Sequence, residues 1–360
     1  MANASTNINC LTGLRGVAAW YVVFFHVQDW FPAASSPYIS EFIAQGFLAV
    51  DLFFILSGYV INRAYSTNFS RLHVNAYFDF IFRRLARIYP LHLFILILYI
   101  LVPIAITHFS TLKDLGDRFS LSYFFQSLLL IQNWGFTAEL DWNYPSWSIS
   151  VEFFAYLLFP FFATLTTITI KQFALTPVIL IPILCAVISL IYYFSGQYSL
   201  GDDIPSLGLA RCILEFLIGA QISSICKQPE FSNRALTHTV QAVSIAIIAL
   251  GFYFGLPDYL FIPFAFSLFI FSLISGKTYL GIFLSFKLLI FVGKISYSTY
   301  LCHALMRELV KFSSSSLGVL QIVQYCIVVA GFSILLFYFI EEPSRLLLNK
   351  YLDDRRTRFD

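Results

Sequence analysis

Charge is what this 360-residue sequence has least of, with Asp, Glu, Lys and Arg making up only 12% of it. An ordinary soluble domain carries about 25%. Hydrophobic residues make up 59% and the mean hydropathy is +0.77, so a soluble globular protein is excluded and lipid is the expected surrounding medium. Cys-x-x-Cys spacing is also missing. Cys10, Cys185, Cys212, Cys226, Cys302 and Cys326 are scattered, mostly in apolar segments, where cysteine behaves as a small hydrophobe. Neither a disulfide framework nor a metal site is expected. The opening MANASTNINC has no basic residue, which argues against a cleavable signal peptide and for a retained first helix. No internal repeat is visible, which counts against the paired halves of many secondary transporters. The net charge of +2 says little about partners, and no nucleic acid is expected among them.

What the chain does have is long apolar runs. Broken at proline, glycine and charged clusters, they predict spans near 12–31, 46–63, 88–108, 148–168, 176–194, 206–226, 237–255, 258–275, 295–311 and 318–340. The fold class expected is therefore all-α, a polytopic integral membrane protein of about ten transmembrane helices. The segment 119–133 is apolar but short and reads as an interfacial or re-entrant helix. The serine run at 313–316 reads as a polar loop between the last two spans. Ten spans place Arg63, Arg71, Arg83, Arg84, Arg87, Lys171, Lys227, Arg234, Lys277, Lys287 and Lys294 on one side, with Arg345, Lys350, Arg355, Arg356 and Arg358. The other side has only Lys113 and Arg118, beside acids such as Glu41, Asp114, Asp117, Glu139, Asp141, Asp202, Asp203 and Asp258. By the positive-inside rule both termini are cytoplasmic. Residues 1–345 form the membrane-embedded domain and 346–360 a short basic tail.

A charged side chain near the bilayer centre costs at least about 2.5 kcal/mol on insertion scales, so ionisable residues inside the spans are candidates for function. In LTGLRGVAAWYVVFFHV, Arg15 and His26 are eleven positions apart. On a helix they share one face, separated by roughly 16 Å. Snorkelling to the interface accounts for Arg15 but not for His26. Asp51, early in GFLAVDLFFILSGYVI, either orients an imidazole as in triad logic or caps the helix start. Ser57 and Gly58 read as a close-packing pair. Arg83, Arg84 and Arg87 fall in the expected loop FRRLARIYP. There Arg84 and Arg87 either clamp phosphates or only set topology beside anionic lipid. Glu152, one turn into the next span behind a Ser146 or Ser148 cap, is a second candidate partner for His26. His303 and Arg307 are one turn apart, with His303 either packing or supporting. Glu341, Glu342 and Pro343 read as the end of the last helix, the acids pairing with nearby bases.

Taken in order, these pieces resemble the acyltransferase family 3 integral membrane O-acyltransferases. They are Arg15 with ten residues before His26, GFLAVDLFFILSG at 46–58, Arg84-x-x-Arg87, WSISVEFFAYLLFP at 147–160, GKISYSTYLCH at 293–303 and EEPSR at 341–345. The resemblance implies an acyl-CoA donor, usually acetyl-CoA, arriving from the cytoplasm, and a hydroxyl acceptor on a glycan, glycolipid or other envelope or secreted molecule. It also implies location in the cytoplasmic (inner) membrane and activity that depends on Arg15, His26, Arg84 and Arg87. Two departures stand out. Where many relatives have two acids and a glutamine, this chain has Glu152-Phe153-Phe154, so only Glu152 carries over. No extracytoplasmic hydrolase-like domain, which some members have at the C-terminal end, is expected from these residues, so transfer is expected to rest on the membrane core. The expected assignment is His26, Asp51 and Glu152 for proton handling and Arg15, Arg84 and Arg87 for the donor, with no metal. His26 would act as general base or transient acyl carrier. A transporter or flippase of an envelope precursor is the alternative, and a non-catalytic membrane scaffold the third reading.

Overall fold

The computed structural model describes residues 2–31, 36–69, 71–109, 118–172, 176–226, 234–275, 278–313 and 318–356. Among them helix is the only regular secondary structure, without a strand. In chain order the helices are α1 Ala2–Phe25, α2 Pro37–Ala44, α3 Ala49–Tyr65, α4 Val74–Tyr99, α5 Leu101–Phe109, α6 Leu121–Leu128, α7 Trp147–Gln172 and α8 Thr176–Phe194. They continue with α9 Ile204–Ile225, α10 Arg234–Tyr253, α11 Ile262–Ser275, α12 Tyr279–Leu284, α13 Lys287–Lys294, α14 Ser296–Ser313, α15 Val319–Leu336 and α16 Glu342–Arg356.

By length and composition, seven helical stretches among the described residues can cross a membrane, or eight if α13 and α14 are one broken span. Leu165, Leu190 and Ile327 are more than half exposed, as side chains facing lipid tails should be. The chain is a multi-pass membrane protein. Hydropathy alone suggested about ten spans. The expected span 258–275 opens as a 3-10 turn at Asp258–Leu260 and leaves only the 14-residue α11. Lys113, Asp114, Asp117, Lys227, Lys277, Arg358 and Ser314–Ser316 lie outside the described residues.

Three local expectations differ from the structure. Arg83, Arg84 and Arg87 are in the helix α4, not in a loop. No glycine or proline interrupts the chain between Val74 and Ile88, and arginine is a good helix former. Pro343 does not stop the last helix. A π-turn at Phe337–Glu341 ends one hydrogen-bonding register and α16 starts another, so Pro343 falls in a first turn, where its missing N–H leaves no bond unmade. Ser148 does not cap α7 but lies one residue inside it. Gln132 Nε2 donates to Ser146 Oγ and O at 3.1 Å, while Ser148 Oγ donates to Pro145 O at 3.1 Å.

The chain divides into two compact units, one of Met1–Ala18, Leu48–Ala76 and Phe154–Lys294, the other of Ala19–Phe47, Tyr77–Phe153 and Ile295–Asp360. In the first unit α3 lies directly against α9. A Cβ built on Gly58 would fall 1.9 Å from Phe216 O, and one on Gly219 would fall 1.9 Å from Ile55 O. Two glycines thus let the backbones touch, as small residues do between membrane helices, and Gly58 does what its sequence context suggested. Asn62 Nδ2 donates to Ala220 O at 2.9 Å across the same seam. Asp203, in the left-handed region at φ 44°, starts α9 by accepting the Ser206 amide, a helix N-cap.

Candidate active site

The second unit holds His26. Its amide still reaches back to Val22 O at 3.2 Å, after which the chain leaves α1 through a 3-10 turn at Gln28–Trp30. The imidazole stacks on Tyr144 with centroids 5.2 Å apart and planes 14° apart. It meets His303 edge-on at 4.8 Å and 68°. Its Nδ1 is buried with no hydrogen-bond partner among the described residues.

The two neighbours of that ring are held from different elements. Tyr144 belongs to the segment leading into α7, and that segment is fastened to α14. Asn143 Nδ2 donates to Leu301 O at 3.2 Å. Tyr300 Oη donates to Pro145 O at 3.0 Å and lies 2.8 Å from Ser148 Oγ. Upstream, Asp141 accepts the amides of Phe119, Ser120 and Trp142 at 2.6–2.7 Å, which fixes the turn that delivers Tyr144.

His303 is fully buried on α14. Its Nδ1 lies 2.5 Å from Tyr300 O, and its Nε2 has no partner among the described residues. One turn later Arg307 binds both oxygens of Asp29 through Nη2, at 3.2 and 3.1 Å, with its guanidinium 5.8 Å from the Trp30 ring centre. The turn 26–30 therefore runs beside residues 303–307. Two donors there, Arg307 Nε and Trp30 Nε1, are buried with no acceptor among the described residues. Buried polar groups are nearly always satisfied, so a run of bare ones is unusual. Such a cluster can receive a polar guest.

Elsewhere in the same unit, Arg87 Nη1 meets Glu341 Oε1 at 3.0 Å and its guanidinium lies 6.0 Å from the Tyr297 ring centre. Ser298 Oγ donates to Glu341 Oε2 at 2.6 Å, and Arg83 pairs with Asp353. Glu342 pairs with Arg345 at 2.7 Å, so both acids of the EEPSR motif find bases. Arg84 is half-buried on α4, and Glu152 half-buried on α7.

Asp51 has a different partner from the one the sequence suggested. In the first unit Arg211 grips it bidentately, Nε to Oδ1 at 2.6 Å and Nη2 to Oδ2 at 2.5 Å, with both residues buried. Arg211 Nη1 also donates to Leu200 O at 2.6 Å. Leu200 N and Ser199 Oγ in turn donate to Asp258 at 2.7 Å each. Burial raises the Asp258 carboxyl to about 6. Glu215, one turn after Arg211, is fully buried in the same cluster. Arg15 belongs to this first unit, on the helix α1 that ends at Phe25, one residue before His26.

Sequence reasoning missed Arg211 and Glu215, although LARCILEFLIG shows a basic and an acidic residue four apart in an apolar helix. By the rule applied to His26 they deserved the same weight. Tyr144 and Trp30 carried no comparable signal, being two aromatics among many.

A family model described as an acyltransferase domain matches residues 8–338, and the chain belongs to this family, the acyltransferase 3 family. It is similar to the Bacillus subtilis (strain 168) protein named "Putative peptidoglycan O-acetyltransferase YrhL", with 26% identity over 93% of this chain and 54% of that protein. It is also similar to O-acetyltransferase OatA of Staphylococcus aureus (strain NCTC 8325 / PS 47), with 25% identity over 81% of this chain and 49% of OatA. The chain spans about half the length of these curated relatives. No solved structure matches it significantly.

Proposed function

We propose that this protein is a membrane-bound O-acyltransferase that moves an acyl group, acetyl in the first instance, from cytoplasmic acyl-CoA to a hydroxyl of an envelope glycan. Peptidoglycan is the acceptor class to test first, because a relative is named for it. The observation that carries this reading is His26, an imidazole with a bare buried nitrogen, held between two rings in a chain of an acyltransferase family.

An alcohol needs its proton removed as it attacks, and a positioned neutral imidazole supplies a factor of roughly 10²–10⁴. The acceptor oxygen bonds to the thioester carbon while His26 takes the hydroxyl proton. As the tetrahedral centre collapses the carbon–sulfur bond breaks, and the proton on His26 goes to the leaving thiolate, giving ester and free CoA. The developing oxyanion calls for preorganised donors, and the bare N–H groups of Arg307 and Trp30 suit that need. Transfer through an acyl-histidine on His26 uses the same groups in two steps.

Arg84 and Arg87 are assigned to the donor's phosphates and Arg15 to its phosphate or pantetheine oxygens. The helical spacing of Arg84 and Arg87 supports a shared clamp. Charge asymmetry along the sequence supports cytoplasmic termini, an inner-membrane location and donor entry from the cytoplasm. Glu152 remains the proposed carboxylate for this site. Asp51, with both oxygens on Arg211, is assigned to holding α3 on α9.

The test uses purified protein in lipid nanodiscs with radiolabelled acetyl-CoA and an envelope extract, comparing wild type with His26→Ala. The expected result is CoA release with label on a glycan, both lost in the variant. Well-folded protein that releases no CoA with any extract would overturn the reading and favour a transporter or flippase.

A further inference from the structure

Two imidazoles touch in the second unit, and each has one buried nitrogen without a hydrogen bond among the described residues: Nδ1 of His26 and Nε2 of His303. The state of His303 follows from its other nitrogen. Nδ1 lies 2.5 Å from the carbonyl oxygen of Tyr300, and a carbonyl only accepts, so Nδ1 carries the hydrogen. A neutral imidazole has one N–H, which leaves Nε2 as a bare acceptor. His303 is fully buried on α14, so this acceptor is held away from solvent.

A fixed, buried acceptor beside His26 does what a carboxylate does in a catalytic triad. It dictates which nitrogen of the partner ring carries the proton. We propose that His303 is the positioning residue of this site: its Nε2 accepts Nδ1–H of His26 and so leaves Nε2 of His26 as the basic nitrogen facing the acceptor hydroxyl. The assignment rests on His26 being the proton acceptor. The bond is drawn in as the site fills, since catalytic hydrogen bonds are often long in the unliganded state. When His26 gains the acceptor's proton its Nδ1–H bond to His303 becomes charge-assisted and shorter. His303 stays neutral throughout, and the proton returns from His26 to the thiolate. Tyr144, stacked on the face of His26, restricts the ring from swinging away.

The experiment compares His303→Leu, which keeps an apolar volume and loses the acceptor, with His303→Gln, which offers an amide oxygen at similar reach. Both are assayed for CoA release in nanodiscs beside wild type and His26→Ala. The expectation for His303→Leu is a fall in kcat of about 10²-fold with KM for acetyl-CoA unchanged, while His303→Gln stays within about tenfold of wild type. Loss of activity in His26→Ala together with full activity in His303→Leu overturns this inference and leaves the general reading standing. Retained activity in His26→Ala removes both. Should the leucine variant fail to fold, ¹⁵N-histidine spectra of the wild-type protein decide. Hydrogen on Nδ1 of His26 supports the assignment, and hydrogen on Nε2 overturns it.

Discussion

Replacing Gly58 by alanine is the most direct challenge to the architecture. The new Cβ would lie 1.9 Å from Phe216 O. Carbon and oxygen settle at about 3.3 Å or more, so α3 and α9 have to part by roughly 1.4 Å. The atom in the way is backbone, which cannot swing aside. The contact is also closed from the other side, by Gly219 against Ile55 O. The same movement stretches the Arg211–Asp51 bonds, now 2.6 and 2.5 Å, to roughly 4 Å, beyond hydrogen-bond range. Overpacking alone costs about 1–3 kcal/mol, and breaking a buried pair about 3–5 kcal/mol. The expected loss lies above the first figure and below their sum. The assay is the midpoint of thermal aggregation in detergent, read by size-exclusion of the remaining monodisperse protein. Gly331→Ala on α15 is the control: no atom lies within 4 Å of its added Cβ, and alanine favours the helix by about 1 kcal/mol. Gly58→Ala as stable as wild type, or the two variants falling together, would refute the close-contact account.

Three further outcomes are expected. Arg211→Met strands Asp51 in an apolar core and should cost about 3–5 kcal/mol, whereas the double change Arg211→Met/Asp51→Leu should recover much of it; thermal midpoints of both variants check this. The Asp258 carboxyl, raised by burial from 3.8 to about 6, makes the folded state bind more protons than the unfolded one between those values. Its contribution to stability is therefore fully present below about pH 4 and lost as pH rises through 6, and Asp258→Asn should flatten thermal midpoints measured across that window. The double change Arg84→Lys/Arg87→Lys keeps charge and topology but removes planar guanidinium forks; a KM for acetyl-CoA raised about tenfold or more supports the clamp, and unchanged kinetics with normal expression would leave only a topological role.

How much of this was legible in the sequence depends on what each residue's neighbours had to be. The all-helical, membrane-embedded class follows from the scarcity of charge, and no later observation altered it. His26 stood out because an imidazole in an apolar run is expensive without a partner, and Gly58 because a membrane helix uses glycine for close approach. Helix limits were less legible. The π-turn at Phe337–Glu341 depends on register between turns and leaves no compositional trace, so Pro343 read as a stop. Arg83, Arg84 and Arg87 read as a loop because charge ended the apolar run, although nothing in their backbone preferences breaks a helix.

Asp51 shows the other limit, because depth along a helix does not choose a partner. Asp51 read as a possible partner for an imidazole, yet the carboxylate is tied to Arg211, 160 residues away in sequence. The two polar clusters differ in a way composition cannot express. Around Asp51 the guanidinium, both carboxylate oxygens and the Leu200 carbonyl are matched one to another, which makes a joint between helices, with the two oxygens of Glu215 left bare beside it among the described residues. Around His26 the bare atoms belong to four different side chains, His26 Nδ1, His303 Nε2, Arg307 Nε and Trp30 Nε1, brought together by one turn and one stretch of α14. Leaving buried polar groups unmatched costs roughly 1–3 kcal/mol each, and four of them around one turn, all nitrogens of rings or a guanidinium, make that turn the place to look for a bound molecule. On that ground the proposal puts the chemistry at His26 and treats the Arg211–Asp51 pair as a joint between α3 and α9.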